Sequence, residues 1–279
     1  FVMNATQDRV DRMRVEGTLR AKDENGNWTT FAATRAGIEV APGGLVEVGG
    51  LSGNNGWFQI QANSAISGGT INATGPFVIG TSGRSTVFTQ TGGMVNSGFP
   101  NGNSLQVQNQ SRYELGGGTL NVAGELILVA GTGTNSNNTF RQTGGVANVP
   151  KLRANSGSRF EMGGGTLNIA SRFDLSSGAI ADLLGGNGAI NLSSFGVAEF
   201  SAGVLTNASN ARYTAGVQSE SYFPAGFNPY VAFGTFSSQG LVHTAGTTLV
   251  IPSNFVMNAT QDRVDRMRVE GTLRAKDEN

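Results

Sequence analysis

Ser111-Arg112-Tyr113-Glu114-Leu115-Gly116-Gly117-Gly118-Thr119-Leu120-Asn121-Val122-Ala123 returns later in the chain as Ser158-Arg159-Phe160-Glu161-Met162-Gly163-Gly164-Gly165-Thr166-Leu167-Asn168-Ile169-Ala170. A second pair of strings is interleaved with the first: Phe88-Thr89-Gln90-Thr91-Gly92-Gly93 matches Phe140-Arg141-Gln142-Thr143-Gly144-Gly145. What the copies share is a Gly pair followed by a short string that ends in Asn. The series runs Gly68-Gly69-Thr70-Ile71-Asn72, Gly92-Gly93-Met94-Val95-Asn96, Gly117-Gly118-Thr119-Leu120-Asn121, Gly144-Gly145-Val146-Ala147-Asn148 and Gly164-Gly165-Thr166-Leu167-Asn168, with a degenerate Asn187-Gly188-Ala189-Ile190-Asn191. Aligned on the third position, the copies step by 24, 25, 27, 20 and 23 residues. Weaker copies around Thr18 and Leu45 precede the series, and others around Thr247 and Thr272 follow it. Between residues 191 and 245 the pattern is lost.

A period of this length, built on β-type strings, means a solenoid. The expected fold is all-β: a right-handed parallel β-helix in which each coil is two or three short strands. Successive coils then stack about 4.8 Å apart by parallel pairing. The Gly pairs fit sharp corners, where a side chain would clash or φ must be positive. The Thr, Ile, Val and Leu that follow favour strand. Near the start, Met13, Val15 and Leu19 alternate with Arg12, Arg14, Glu16 and Thr18, the strand period of two. An amphipathic helix over residues 7–16 is the alternative there, because Val10 and Met13 are three apart.

A much longer repeat lies on top of the short one. Residues 1–25 recur without a gap as residues 255–279, an offset of 254 residues from Phe1 to Phe255. At about ten coils per 254 residues, the chain reads as a single β-solenoid over 1–279 that starts a second tandem unit at 255. Three origins fit the duplication: a natural tandem array, an engineered copy, or a period closed when sequence was assigned to a repetitive density. Thr247-Thr248-Leu249-Val250-Ile251-Pro252-Ser253-Asn254 runs into Phe255 with no tag or Gly/Ser linker. That favours the natural array. The chain begins at Phe1 and not at Met, as expected for a piece of something longer.

Composition narrows the classes of function. The net charge is zero and 14% of the 279 residues are charged. This argues against nucleic acid, whose phosphates demand clustered Lys and Arg. No window approaches the roughly 18 apolar residues of a membrane helix, so membrane insertion is not expected. There are 42 Gly, about twice the usual share, without the period of collagen. There is no Cys, so neither disulfides nor Cys-based metal sites can form.

The strings around 88–96, 116–131 and 163–170 resemble autotransporter-type passenger repeats and related β-helical repeats of large bacterial surface proteins. The resemblance covers roughly residues 60–195 and implies a parallel β-helix, an extracellular or cell-surface location, and an adhesive or scaffolding role. That family has no universal active site, so no catalytic residue carries over. The exact long repeat is a departure from it, since a single passenger domain does not need one.

Two sets of residues stand out. Asn72, Asn96, Asn121, Asn148, Asn168 and Asn191 are expected at one corner of successive coils. There they would either form a stacked amide ladder or simply serve as turn residues. The segment 219–236 is dense in aromatics and reads as a lateral loop or insertion. Tyr222, Phe223, Phe227, Tyr230, Phe233 and Phe236 could there grip a sugar or a neighbouring filament. The alternative is a small satellite core. Signs of catalysis are weak. His243 is the sole histidine, and one His makes neither a zinc motif nor a convincing triad. Gly185-Gly186-Asn187-Gly188 lacks the Asp that a calcium-binding nonapeptide needs. Asp174 and Asp182, or Asp23 and Glu24, read as scattered surface acids.

The leading expectation is therefore not an enzyme but a structural repeat of an extracellular bacterial fibre or giant surface protein. Its partners would be further copies of itself, joined head to tail, with no cofactor. An adhesin or carbohydrate-binding β-helix using the aromatic segment is the alternative, its partner a glycan or a neighbouring filament. A polysaccharide lyase or hydrolase is the third reading. It needs clustered acids in a lateral groove, and acids between residues 26 and 254 are few and dispersed.

Overall fold

The computed structural model of the chain describes residues 12–21, 31–33, 37–49, 57–81, 83–98, 102–130, 137–224, 226–237, 241–243, 249–251, 263–264 and 267–269. It is a parallel β-solenoid. The first strands of nine successive coils form a nine-stranded sheet: Arg12–Val15, Gly37–Val40, Ser64–Ile66, Val87–Gln90, Arg112–Leu115, Thr139–Gln142, Arg159–Met162, Ile180–Asp182 and Val204–Thr206. The second strands include Thr18–Arg20, Leu45–Val48, Thr70–Ala73, Met94–Ser97, Thr119–Val122, Ala189–Leu192, Arg212–Ala215 and Thr235–Ser237. The third strands run from Phe31–Ala33 through Phe58–Ile60, Phe77–Ile79, Asn103–Val107, Glu125–Leu128, Val197–Glu199 and Glu220–Tyr222 to Leu241–His243. Two long strands, Val146–Ala154 and Thr166–Leu175, pass from the second ladder into the third, so these two ladders form one 19-stranded sheet.

The local sequence explains each part of a coil. Along a strand the side chains alternate inward and outward. In the second ladder the inward column Leu19, Val46, Ile71, Val95, Leu120, Ala147, Leu167 and Ile190 is buried. Full burial of one such Leu, Ile or Val contributes about 1.5–3 kcal/mol. Of the stretch 7–16, Arg12–Val15 is a strand with Val15 buried and Arg14 exposed, and residues 7–11 lie outside the described residues.

The Gly pair makes the corner between first and second strands. Its second member has left-handed φ at Gly69, Gly93, Gly118, Gly145 and Gly165, between 64° and 79°. At Gly145 a Cβ would also lie 2.6 Å from the Gly118 carbonyl oxygen one coil earlier. Only glycine satisfies both constraints. The close approach has a use. The Gly118 carbonyl accepts the Val146 N–H at 2.9 Å, the Gly93 carbonyl accepts that of Thr119 at 2.9 Å, and the Gly145 carbonyl accepts that of Thr166 at 2.9 Å. The corners themselves are thus hydrogen-bonded along the stack.

The structure fills the stretch between residues 191 and 245. Arg212–Ala215 and Thr235–Ser237 continue the second ladder in register with Ala189–Leu192, though neither follows a Gly pair. In the next coil, the short helix Pro229–Ala232 takes the place of a first strand. Asn228 caps it by accepting the Tyr230 N–H at 3.1 Å, and Pro229 at its start fits the first helical turn. Further on, Arg263–Val264 pairs in parallel with Val242–His243, and Met267–Val269 with Leu249–Ile251. Both belong to the second copy of the repeated segment. Thr247 and Thr272 fall outside the described residues, whereas Leu249 pairs with Met267, the copy of the first-strand residue Met13.

Candidate functional site

The six Asn residues share one column, but not at a corner. Each is the third residue of a second-ladder strand, half-buried on its outward face. In the first five the Gly pair sets the position: the corner turns before the strand begins, and the Asn comes three residues after the second Gly. Asn96 Nδ2 donates to Asn72 Oδ1 at 2.8 Å, Asn121 to Asn96 at 2.8 Å, Asn148 to Asn121 at 2.8 Å, Asn168 to Asn148 at 2.8 Å and Asn191 to Asn168 at 2.9 Å. Every internal member donates one bond and accepts one. The column continues at both ends with other polar residues. Glu47 stands opposite Asn72 and Arg20 opposite Glu47, with an Arg20 Nε–Glu47 Oε2 ion pair of 2.5 Å. At the other end Thr214 stands opposite Asn191 and Ser237 opposite Thr214.

A second column runs inside the solenoid, and sequence reading did not find it. Phe31, Phe58 and Phe77 stack on the third ladder with centroids 5.8 and 4.7 Å apart. The column then crosses to the first ladder through an edge-to-face contact of Phe77 with Phe88 at 5.2 Å. It continues through Tyr113, Phe140 and Phe160, and returns to the third ladder through an edge-to-face contact with Phe173 at 5.2 Å. Phe200 follows at 4.9 Å. Such contacts add about 0.5–1.5 kcal/mol each beyond area burial.

The recurring Phe-x-Gln-Thr-Gly-Gly string now has a physical meaning. Its Phe joins the aromatic column, and its Gln, two residues on, also points inward and is buried. Gln90 Nε2 donates to the Gly93 carbonyl at 3.3 Å and, one coil later, to the Thr119 carbonyl at 3.0 Å. Gln142 Nε2 does the same with Gly145 at 3.2 Å and Thr166 at 3.0 Å. Each Gln therefore ties its own corner to the next. The Tyr113 hydroxyl donates to Gln90 Oε1 at 2.5 Å. Burial pushes the phenol well above its usual range, which keeps that proton in place. At the equivalent position one repeat later stands Phe160, and Gln142 Oε1 has no hydrogen-bond partner among the described residues.

Most rings of the aromatic segment pack into the core, as the satellite-core alternative expects. Phe223, Tyr230, Phe233 and Phe236 are buried, and Phe227 is packed against them, stacked on Phe223 at 5.4 Å. Tyr222 lies half-buried in the strand Glu220–Tyr222, its hydroxyl donating to Glu220 at 2.5 Å. The segment is not an insertion: it supplies strands and a helix to successive coils. The helix Pro229–Ala232 stands in place of a first strand there, and its Tyr230 packs edge-to-face on Phe236 at 4.9 Å. Tyr213 links these rings to the rest of the column through Phe233 and Phe236, each at 5.5 Å. Burial raises the Tyr213 phenol, and its hydroxyl bonds Ser221 Oγ at 2.7 Å.

Charged side chains also work between coils. Arg14 reaches Glu39 at 2.8 Å, Arg153 reaches Glu125 at 3.1 Å, and Arg159 reaches Asp182 at 3.3 Å. Exposed pairs like these contribute up to about 1 kcal/mol each. Asp182 also accepts from the Leu184 N–H and from Asn207, and Asp174 pairs with Arg172. Both acids are thereby used within the coil surface. Among the described residues no three His, Cys, Asp or Glu side chains cluster to hold a metal ion, and no helix is long and apolar enough to cross a membrane. His243 lies in the strand Leu241–His243, its backbone opposite Val264; Asp23 and Glu24 fall outside the described residues. Comparison with known proteins returns no matching family model, no matching curated protein and no matching solved structure. The fold rests on the chain's own geometry: a parallel β-solenoid whose side chains bind each coil to the next.

Proposed function

We propose that this chain is a structural repeat of an extracellular bacterial fibre or giant surface protein that grows by coil-on-coil β-stacking. The observation that carries the reading is the behaviour of the repeated segment. Its second copy adds strands in parallel onto the preceding coils, at Arg263–Val264 and Met267–Val269. The segment bonded to the coil after it in its first copy is thus bonded to coils before it in its second. Three axial columns support the same reading: the amide ladder, the aromatic spine and the corner hydrogen bonds. All run along the stacking direction. Such contacts are quasi-one-dimensional, each coil needing only its neighbours, so length can grow without any change in cross-section. Most of the aromatic residues that the adhesin alternative relies on are committed to packing, which favours the structural reading. The test is made on intact source cells. Brief protease treatment should release peptides of this chain, and antibody labelling in the electron microscope should decorate surface filaments. Labelling confined to the cell interior would defeat the proposal.

A further inference from the structure

The two copies of the repeated segment are held from opposite sides. In the first copy, Arg12–Val15 bonds to the coil that follows it, with Met13 opposite Ile38, Arg14 opposite Glu39 and Val15 opposite Val40. It is the terminal strand of its sheet, so its other edge has no strand partner among the described residues. In the second copy the same tripeptide, Met267–Val269, bonds to a strand that precedes it. Met267 lies opposite Leu249, Arg268 opposite Val250 and Val269 opposite Ile251. One sequence therefore displays both of its edges, one in each copy.

We propose that the edge of Leu249–Ile251 now covered by Met267–Val269 is the docking surface for strand Arg12–Val15 of a second copy of this chain. The register is Leu249 to Met13, Val250 to Arg14 and Ile251 to Val15. The inference rests on the fibre reading above and specifies its junction. The occupant is identified because its own sequence already sits on the surface. Open strand edges recruit other strands. Here the C-terminal copy covers the edge in cis, at an effective concentration in the millimolar range, and so outcompetes separate chains at micromolar concentration. In a tandem array the covering segment and the next unit are one and the same, and no competition arises. The incoming strand is also prepared electrostatically. Arg14 is already paired with Glu16 at 2.7 Å and with Glu39 at 2.8 Å, so docking brings in no unpaired charge at that position.

The test uses the full chain. Arg268→Pro with Val269→Pro releases the cis copy: consecutive residues of a parallel strand send their N–H groups to opposite neighbours, so one of the two prolines removes a donor aimed at Leu249–Ile251. The same chain carries Arg14→Cys and Val250→Cys. Mild oxidation should give a ladder of disulfide-linked multimers, roughly tenfold or more above the chain that keeps Arg268 and Val269. Moving the first cysteine to Met13 should abolish the ladder, because adjacent residues point to opposite sides of a sheet. A separate chain with Val250→Cys and Arg268→Cys, free of prolines, should close an intramolecular disulfide. Absence of that closure, or of multimers from the released chain, overturns the docking surface. Multimers that cross-link as well through Met13→Cys overturn the register and leave the fibre reading standing.

Discussion

Two inward glutamines make the same bonds to the corners but differ in one atom's surroundings, and that difference is a natural experiment at the scale of single residues. Gln90 Oε1 receives the Tyr113 hydroxyl, whereas Gln142 Oε1, with Phe160 at the position equivalent to Tyr113, lacks a partner among the described residues. A buried acceptor left unpaired costs about 1–3 kcal/mol, and a made bond returns about 1 kcal/mol net. Tyr113→Phe should therefore destabilise the protein by about 1–2 kcal/mol, and Phe160→Tyr should stabilise it by about 1 kcal/mol. Denaturant unfolding of the two variants checks this. The opposite signs are the point: if both substitutions destabilise, the two sites are not equivalent, and the pairing of Gln with the ring of the following coil is not what stabilises them.

At the scale of the strand and its corner, the Asn column separates a ladder from a row of turn residues. Asn121 bonds to Asn96 and receives Asn148, whereas Asn191 makes one ladder bond, to Asn168. Asn121→Ala should cost about 2 kcal/mol and Asn191→Ala about 1 kcal/mol. Equal losses at the two sites, measured by the same unfolding curves, would mean that the amides act only locally. This scale is also where the sequence was most readable. The spacing of the five Gly pairs, 24, 25, 27 and 20 residues, is the register of the second ladder, because each of these pairs makes the same left-handed corner, and the degenerate copy 23 residues on keeps that register without the pair. The Asn column was found for the same reason, though it sits within the strand and not at the corner. The aromatic spine was not readable. It crosses from the third ladder to the first at Phe77 and Phe88 and back at Phe160 and Phe173, so no fixed spacing marks it. The ladder at Arg212–Ala215 and Thr235–Ser237 was missed because no Gly pair precedes either strand. The rings of 219–236 fit both a lateral grip and a satellite core in the sequence, because nothing there announces that a helix replaces a strand.

At the scale of the whole molecule, the proposed fibre requires the solenoid to continue from one 254-residue period into the next. The strand pairings at Arg263–Val264 and Met267–Val269 are its local expression. The most direct measurement compares chains of one, two and three periods by small-angle X-ray scattering and electron microscopy. With roughly ten coils per period at about 4.8 Å each, every added period should lengthen a straight rod by about 50 Å at constant cross-section. Chains whose radius of gyration grows instead as for beads on a flexible string, or whose added periods fold back into a thicker particle, would rule out a continuous solenoid.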